Sequence, residues 1–173
     1  MFCFFHPAMQ DEPIIFVEVA LMNNIPSKIQ DVLEEERQLI EPHEANVAVF
    51  YSISNCQKGL SGISFGNFLI KQVANDLKFE FNNIKKFVTL SPVPGLRNWI
   101  KNKNPKFELI LEKFKKSEQF LKIKPSLMRY AGDYFLNSDR SDGMPNDPVA
   151  RFHLGLSLIH ISEPTRLWSI SYA

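Results

Sequence analysis

The fold is decided by residues 47–95, which read VAVFYSISNCQKGLSGISFGNFLIKQVANDLKFEFNNIKKFVTLSPVPG. The first nine residues form a mostly apolar run of strand length, a pattern typical of a half-buried strand. Glycines then interrupt residues 59–66, and from Phe65 the apolar residues follow the 3.6-residue period of an amphipathic helix. Residues 85–91 return to a strand pattern, which proline ends after Ser91. A strand, helix and strand of these lengths predict a right-handed crossover between two parallel strands.

This crossover also predicts where a ligand would bind. Both strands should end at one edge of the sheet, which brings the loop 55–63 close to the turn 91–95. Ser64 is the expected N-cap of the helix, and the free amides at a helix N-terminus favour an anion such as a phosphate. The alternative is a structural unit whose glycines only make turns. The loop has neither the GK[ST] of a P-loop nor the GxGxxG of a dinucleotide site.

The composition indicates one folded domain. The chain has 173 residues, 45% of them hydrophobic, and a formal net charge of +1. This charge argues against general nucleic-acid binding. Nine of the 20 Lys and Arg residues lie between 97 and 124, either as a solvated helix face or as a contact for an anionic ligand tail. Cys3 and Cys56 have no metal-binding spacing, and no membrane or targeting segment is evident. We therefore expect a reducing, cytoplasmic compartment and no membrane partner.

The segments before the crossover predict a hairpin and a helix. The runs FCFFHPAM and PIIFVEVALM should form an antiparallel hairpin connected by the polar residues QDEP. Residues 27–37 predict a short amphipathic helix with Ser27 as its N-cap.

The segments after the crossover predict mainly helices. Helical patterns begin near Leu96 and after Pro105, and Pro125 should break the second before a helix resumes at Leu127. The run VARFHLG predicts a strand with His153 among apolar neighbours.

Residue spacing alone gives only weak evidence for a catalytic function. No nucleophile elbow, HExxH motif or paired-carboxylate signature is present. The leading constellation is Ser91 at a strand end together with His153 and the glycine loop, since Ser and His can form a proton-transfer pair. The alternative reading is a serine in a turn and a histidine satisfied in the core.

Ordered blocks of sequence resemble the catalytic region of the malonyl-CoA decarboxylase family. They are HPAMQDEP, FVEVAL, FYSIS, GISFGNFLIKQV, FVTLSPVPG, PSLMR and DPVARFHLG, and they cover essentially residues 2–155. The resemblance implies an α/β fold of the GNAT type with a mixed sheet. In that fold, acyl-CoA lies between two splayed parallel strands and its pyrophosphate is held by the loop and helix start after the first strand.

The resemblance also assigns residues. Ser91 matches the family's catalytic proton acceptor and His153 its proton donor, and both would contact malonyl-CoA. The remaining substrate-binding segment matches Ser61, Gly62, Ile63, Ser64, Phe65, Gly66 and Asn67. The family reaction converts malonyl-CoA to acetyl-CoA and CO2, and it needs no metal or organic cofactor because the thioester is the electron sink. The resemblance also implies that full-length members oligomerise through a helical domain, which we expect to be absent here, and that members occur in the cytosol, mitochondria and peroxisomes.

The resemblance ends near residue 155. Residues 1–155 are expected to be a partial, truncated catalytic domain, and residues 156–173 a non-native tail that packs poorly or is disordered. A missing sheet segment would leave an exposed edge and an incomplete pocket, so we expect weak or no activity. Two other functions stay open: a GNAT-type acyltransferase that moves an acyl group from CoA to an amine, and a non-enzymatic CoA-binding fragment.

Overall fold

The chain divides into two units, one containing the sheet and the other after Ser91 and before Leu154. A computed structural model describes residues 1–34, 40–60, 65–113, 117–136, 142–156 and 169–172. The first unit, here called the sheet unit, contains Met1–Ser91 and Leu154–Ala173. Pro92–His153 make up the second, here called the helical unit.

The sheet unit contains a mixed five-stranded sheet whose strands are neighbours in chain order. The strands are β1 (Phe2–His6), β2 (Met9–Met22), β3 (Val47–Asn55), β4 (Lys86–Leu90) and β5 (Ser169–Tyr172). The β3–β4 pair is parallel, and the other three pairs are antiparallel. The helices of this unit are α1 (Gln30–Leu33) and α2 (Phe65–Glu80), with short 3-10 helices at Pro42–Glu44 and Lys58–Leu60. The expected mixed α/β class is confirmed.

The predicted crossover is present as β3, α2 and β4. The side of α2 that packs against the first three strands buries an apolar stripe at helical spacing, namely Leu69, Ile70, Val73 and Leu77. Burial of each such side chain contributes roughly 1.5–3 kcal/mol. Val47, Ala48, Val49 and Phe50 are all buried, so both faces of β3 are covered over this stretch.

The two parallel strands stay paired for only part of their length. The register runs from Val47 opposite Lys86 to Phe50 opposite Thr89. Beyond that point β3 continues for five residues to Asn55, while β4 ends at Leu90. Along β3 the burial changes from buried at its start to exposed at its end. The last residues of β3 therefore extend beyond the carboxyl end of β4.

The hairpin of β1 and β2 is confirmed, but its turn lies elsewhere than predicted. The chain turns at Pro7 and Ala8, where the backbone N–H of Ala8 donates to Nδ1 of His6 at 3.1 Å. The predicted connection QDEP lies inside β2, where the register jumps from Pro13 opposite Phe5 to Met9 opposite His6. A register shift absorbs the polar residues, and Pro7 supplies the fixed φ that a tight turn favours.

The predicted helix at 27–37 is shorter in the structure. It covers Gln30–Leu33 with Ile29 at the N-cap, while residues 35–39 lie outside the described residues. Ser27 is not the cap. Its backbone N–H and hydroxyl instead donate to Oδ2 of Asp31, at 3.0 and 3.1 Å, so this side chain ties down the turn before the helix.

The expectation that residues 156–173 pack poorly is wrong for the part that the structure describes. Leu156 is 1% exposed, and Ser169–Tyr172 form β5, which pairs with Phe87–Leu90 of β4. The outer edge of β4 is thus covered over this stretch. Residues 157–168 and 173 lie outside the described residues, and the assignment of the segment as non-native stays a prediction.

The helical unit contains α3 (Pro94–Lys103), α4 (Pro105–Lys113), α5 (Ser117–Leu136) and the start of α6 (Pro148–Gly155). The first two agree with the predicted helices. The prediction that Pro125 ends a helix is wrong, because α5 continues through it. An internal proline costs about 3 kcal/mol, and the buried residues Ile123, Ala131 and Tyr134 on the same helix offset that cost.

The predicted strand at VARFHLG is also wrong, since these residues form α6. Asp147 accepts a hydrogen bond from the backbone N–H of Ala150 at 2.9 Å, in the manner of an N-cap, and Pro148 occupies the first helical position. The buried residues Ala150 and His153 are three apart, which fits a helical period and not the alternation of a strand.

Candidate active site

Ser91 directly follows the last residue of β4. The four residues Phe87–Leu90 are buried, and Ser91 is half-buried where the chain leaves the strand. Pro92 and Pro94 follow, and Pro94 begins α3. The structure thus places Ser91 at the carboxyl end of a parallel strand, as predicted, which is the edge where α/β sheets bind ligands.

The predicted substrate-binding segment is described only in part. Ser61, Gly62, Ile63 and Ser64 lie outside the described residues, so the capping role of Ser64 stays a prediction. Phe65, Gly66 and Asn67 form the first turn of the 16-residue helix α2. The glycine is buried, while Phe65 is 37% exposed.

Asn67 carries an unusual polar atom at the start of α2. Among the described residues its Oδ1 is buried and has no hydrogen-bond partner. A Cβ on Gly155 would lie 2.7 Å from Nδ2 of Asn67, so a glycine at 155 leaves room for this amide within the sheet unit. An unsatisfied buried acceptor costs about 1–3 kcal/mol, and such groups call for an explanation in strain or in function.

His153 lies in the helical unit and is buried. It is 4% exposed on α6, and desolvation lowers its pKa to about 4, although the negative charge of Asp147 opposes this shift. The imidazole is therefore neutral near pH 7 in the free protein.

Sequence reasoning missed the two polar residues that accompany His153. Asp147 is fully buried, and the Tyr134 hydroxyl donates to its Oδ2 at 2.8 Å. Burial first, and then the hydrogen bond and charge of Asp147, raise the pKa of Tyr134 to about 12. The Asp-Pro dipeptide at 147–148 was the available signal, because it combines an N-cap residue with proline at the first helical position.

Gly95 explains why these groups fit together. A Cβ on this residue would overlap the Tyr134 hydroxyl and lie 3.5 Å from Oδ2 of Asp147. The last residue of the block TLSPVPG is therefore glycine for a packing reason: only a bare backbone leaves room for the Tyr134–Asp147 hydrogen bond.

Two of the clustered basic side chains are engaged in ion pairs. Arg97 contacts Glu108 at 2.8 Å. Lys103 pairs with Asp133 and also lies 4.5 Å from the ring centroid of Trp99. For these two residues, the structural reading of the basic patch is favoured over an anion contact.

The predicted Ser91–His153 pair is divided between the units. Ser91 belongs to the sheet unit and His153 to the helical unit, so the meeting of these two side chains stays a prediction. Each residue is placed by its own surroundings: one at a parallel strand end, the other on a capped helix beside a buried carboxylate.

The family comes from comparison with known proteins. A family model described as the malonyl-CoA decarboxylase C-terminal domain matches residues 1–158. The chain belongs to the malonyl-CoA decarboxylase family.

Relatives in this family share the sequence and the fold. The chain is 28% identical over 206 residues to the mitochondrial malonyl-CoA decarboxylase of Anser anser anser, with 98% of the chain and 40% of that protein covered. It is 38% identical over 102 residues to the mitochondrial malonyl-CoA decarboxylase of Rattus norvegicus, and the match covers 57% of this chain and 21% of that protein. The malonyl-CoA decarboxylase structure from Rhodopseudomonas palustris is 42% identical with a TM-score of 0.80, covering 99% of this chain and 46% of that one. That from Agrobacterium vitis is 47% identical with a TM-score of 0.71, covering 88% and 41%.

The chain spans less than half the length of these malonyl-CoA decarboxylases. The chain has the same mixed α/β fold as the two solved structures, with which it is 42% and 47% identical. Within the described part of the chain, no helix is both long and apolar enough to span a bilayer.

Proposed function

We propose that this chain carries the part of a malonyl-CoA decarboxylase that binds malonyl-CoA and releases CO2 from it. The family match over residues 1–158 carries this proposal. The parallel pairing of β3 and β4, which runs to Phe50 and Thr89, supports it, because open α/β sheets bind ligands at the carboxyl ends of parallel strands. The GNAT-type description of the fold belongs to this proposal.

The anionic end of the substrate would bind at the start of α2. The segment Ser61–Asn67 leads into a helix of 16 residues, whose N-terminal amides and dipole favour a pyrophosphate.

The reaction needs two groups at the malonyl end. The bond between the carboxylate carbon and the α-carbon breaks, CO2 leaves, and the electron pair moves into the thioester carbonyl to give an enolate. Ser91 would engage the carboxylate before it leaves. His153 would then deliver a proton to the α-carbon, which yields acetyl-CoA, and would regain a proton from solvent. The thioester is the electron sink, so no metal or organic cofactor enters the scheme.

Because His153 is buried, it suits this role only if the bound substrate promotes protonation of the imidazole. In the free protein the imidazole is neutral, because its pKa lies at about 4. A malonyl carboxylate close to the ring would favour the protonated form. The histidine would then acquire its proton as substrate binds and hold it until the carbanion forms.

Acceptor-independent CO2 release tests the proposal. Malonyl-CoA labelled in its free carboxyl group is incubated with wild-type protein, with Ser91→Ala and with His153→Asn. The matched control is His43→Asn, which alters an exposed histidine at a 3-10 helix. We expect slow release that falls at least about 100-fold in the two site variants, the usual size of general acid-base effects, and stays unchanged in the control.

Two results would overturn the proposal. Release that requires an added amine, with the acyl group found on that amine, would identify a GNAT-type acyltransferase. Binding of malonyl-CoA by calorimetry without CO2 release would identify a CoA-binding fragment. The cytoplasmic location and the absence of nucleic-acid partners stay expectations drawn from the sequence.

A further inference from the structure

We propose that Tyr134 and Asp147 are positioning residues for His153, forming a buried pair that fixes the helix bearing the imidazole and supplies the negative charge that its protonated form needs. The inference rests on the proposed proton-transfer role of His153. All three residues belong to the helical unit.

Both oxygens of the Asp147 carboxylate are held. Oδ1 accepts from the backbone N–H of Ala150 at 2.9 Å, and Oδ2 accepts from the Tyr134 hydroxyl at 2.8 Å. The residue is 0% exposed. An N-cap needs only one oxygen and is ordinarily solvated. The second, phenolic donor stabilises a charge that would otherwise be costly to bury.

The carboxylate acts on His153 through the helix and through its charge. The cap fixes the first turn of α6, and His153 follows three residues after Ala150 on the same face. The negative charge of Asp147 favours the imidazolium, opposing the desolvation that disfavours it. The other charged side chain on this turn, Arg151, donates to the backbone carbonyls of Pro145 and Asn146.

Tyr134 is itself held from two sides. Its ring lies 5.5 Å from that of Trp99 on α3, measured between centroids. Gly95, at the start of the same helix, leaves the space that the hydroxyl fills. The hydroxyl therefore has one defined position, and its hydrogen bond partly neutralises the Asp147 charge that the imidazole senses.

Titration of the His153 imidazole by ¹⁵N NMR tests this pair. The variants are Tyr134→Phe and Asp147→Asn, and Tyr130→Phe is the matched control. Tyr130 lies on the same helix and loses a comparable hydrogen bond, since its hydroxyl accepts from Asn104 at 2.7 Å. Circular dichroism establishes that each variant is folded.

The two site variants should shift the His153 pKa in opposite directions. Asp147→Asn keeps an oxygen for the cap but removes the charge, so the pKa falls. Tyr134→Phe removes the donor that neutralises the carboxylate, so the pKa rises. Tyr130→Phe should leave it unchanged. In turnover assays, Asp147→Asn should lower kcat at least about tenfold, because it removes the charge that favours the protonated His153. KM should stay within about twofold, because this fully buried side chain acts through His153 and not on substrate.

A second measurement covers the case in which Tyr134→Phe does not fold. A 3-fluoro substituent on the Tyr134 ring keeps its shape and strengthens the O–H donor, so the His153 pKa should fall. An unchanged His153 titration in every folded variant, or a shift as large in Tyr130→Phe, would overturn the inference. The titration needs no turnover, so it tests this inference even if the protein releases no CO2. A working decarboxylase with an unmoved titration would instead leave the proposed function in place and remove this inference alone.

Discussion

The buried imidazole of His153 should make the protein lose stability as the pH falls. The perturbation is a change from about pH 7 to about pH 4.5, applied to wild-type protein and to His153→Gln. An unperturbed histidine has a pKa of about 6.5, and burial lowers that of His153 to about 4. Between these values the unfolded chain binds the proton and the folded chain does not.

The sign and size of the effect follow from proton linkage. Because the unfolded state binds more protons, the free energy of unfolding decreases as the pH falls. The stability is fully present above about pH 6.5 and is lost progressively as the pH falls through the folded pKa of His153. Over the chosen interval, the two pKa values give a loss of about 2.5 kcal/mol from this residue.

Urea unfolding followed by circular dichroism measures the loss. Carboxylates also titrate in this range, so the informative quantity is the difference between the two proteins. Wild type should lose about 2.5 kcal/mol more than His153→Gln, which cannot take up the proton. Parallel losses in the two proteins would refute the reasoning. They would mean that the folded protein accommodates the imidazolium as readily as water does.

The remaining predictions concern packing and use the same unfolding assay. Gly95→Ala should destabilise by about 1–3 kcal/mol through overlap with the Tyr134 hydroxyl. Gly132→Ala, on α5 with nothing within 4 Å of the added Cβ, should stabilise by about 0.5–1 kcal/mol; equal effects at the two glycines would contradict the packing argument. Leu69→Ala, at 1% exposure, should cost about 2–5 kcal/mol. Phe79→Ala, at 90% exposure on the same helix, should change stability by less than about 0.5 kcal/mol, and a cost like that of Leu69 would mean that α2 buries a different face.

The crossover could be predicted because its signals are local and agree with one another. The apolar run beginning at Val47 identified β3, the stripe from Leu69 to Leu77 identified the buried face of α2, and Ser91 marked the end of β4. In each case the period of the apolar residues and the breaking residues indicate the same boundary. The position of Ser91 at the sheet edge then follows from geometry alone.

The errors arose where tertiary contacts overrode a local rule. Pro125 breaks an isolated helix, but α5 gains more from burying Ile123 and Ala131 than it loses at the proline. The pairing of β5 with β4 joins segments about 80 residues apart. The sequence of the tail alone does not identify this partner strand. Such long-range pairing depends on the free backbone N–H and C=O groups of the partner strand, which the sequence of a single segment does not specify.

The error at His153 has chemical consequences. Read as a strand, the run VARFHLG would alternate His153 with its neighbours and leave Asp147 as an unrelated loop residue. As helix α6, the same run makes Asp147 the cap and places its buried charge where it acts on the imidazole. Burial alone would hold the ring neutral and unable to donate a proton to carbon. The negative charge of Asp147 opposes this desolvation but leaves the pKa of His153 at about 4. In the proposed reaction the ring would therefore take up its proton only when the malonyl carboxylate adds a second negative charge close to it.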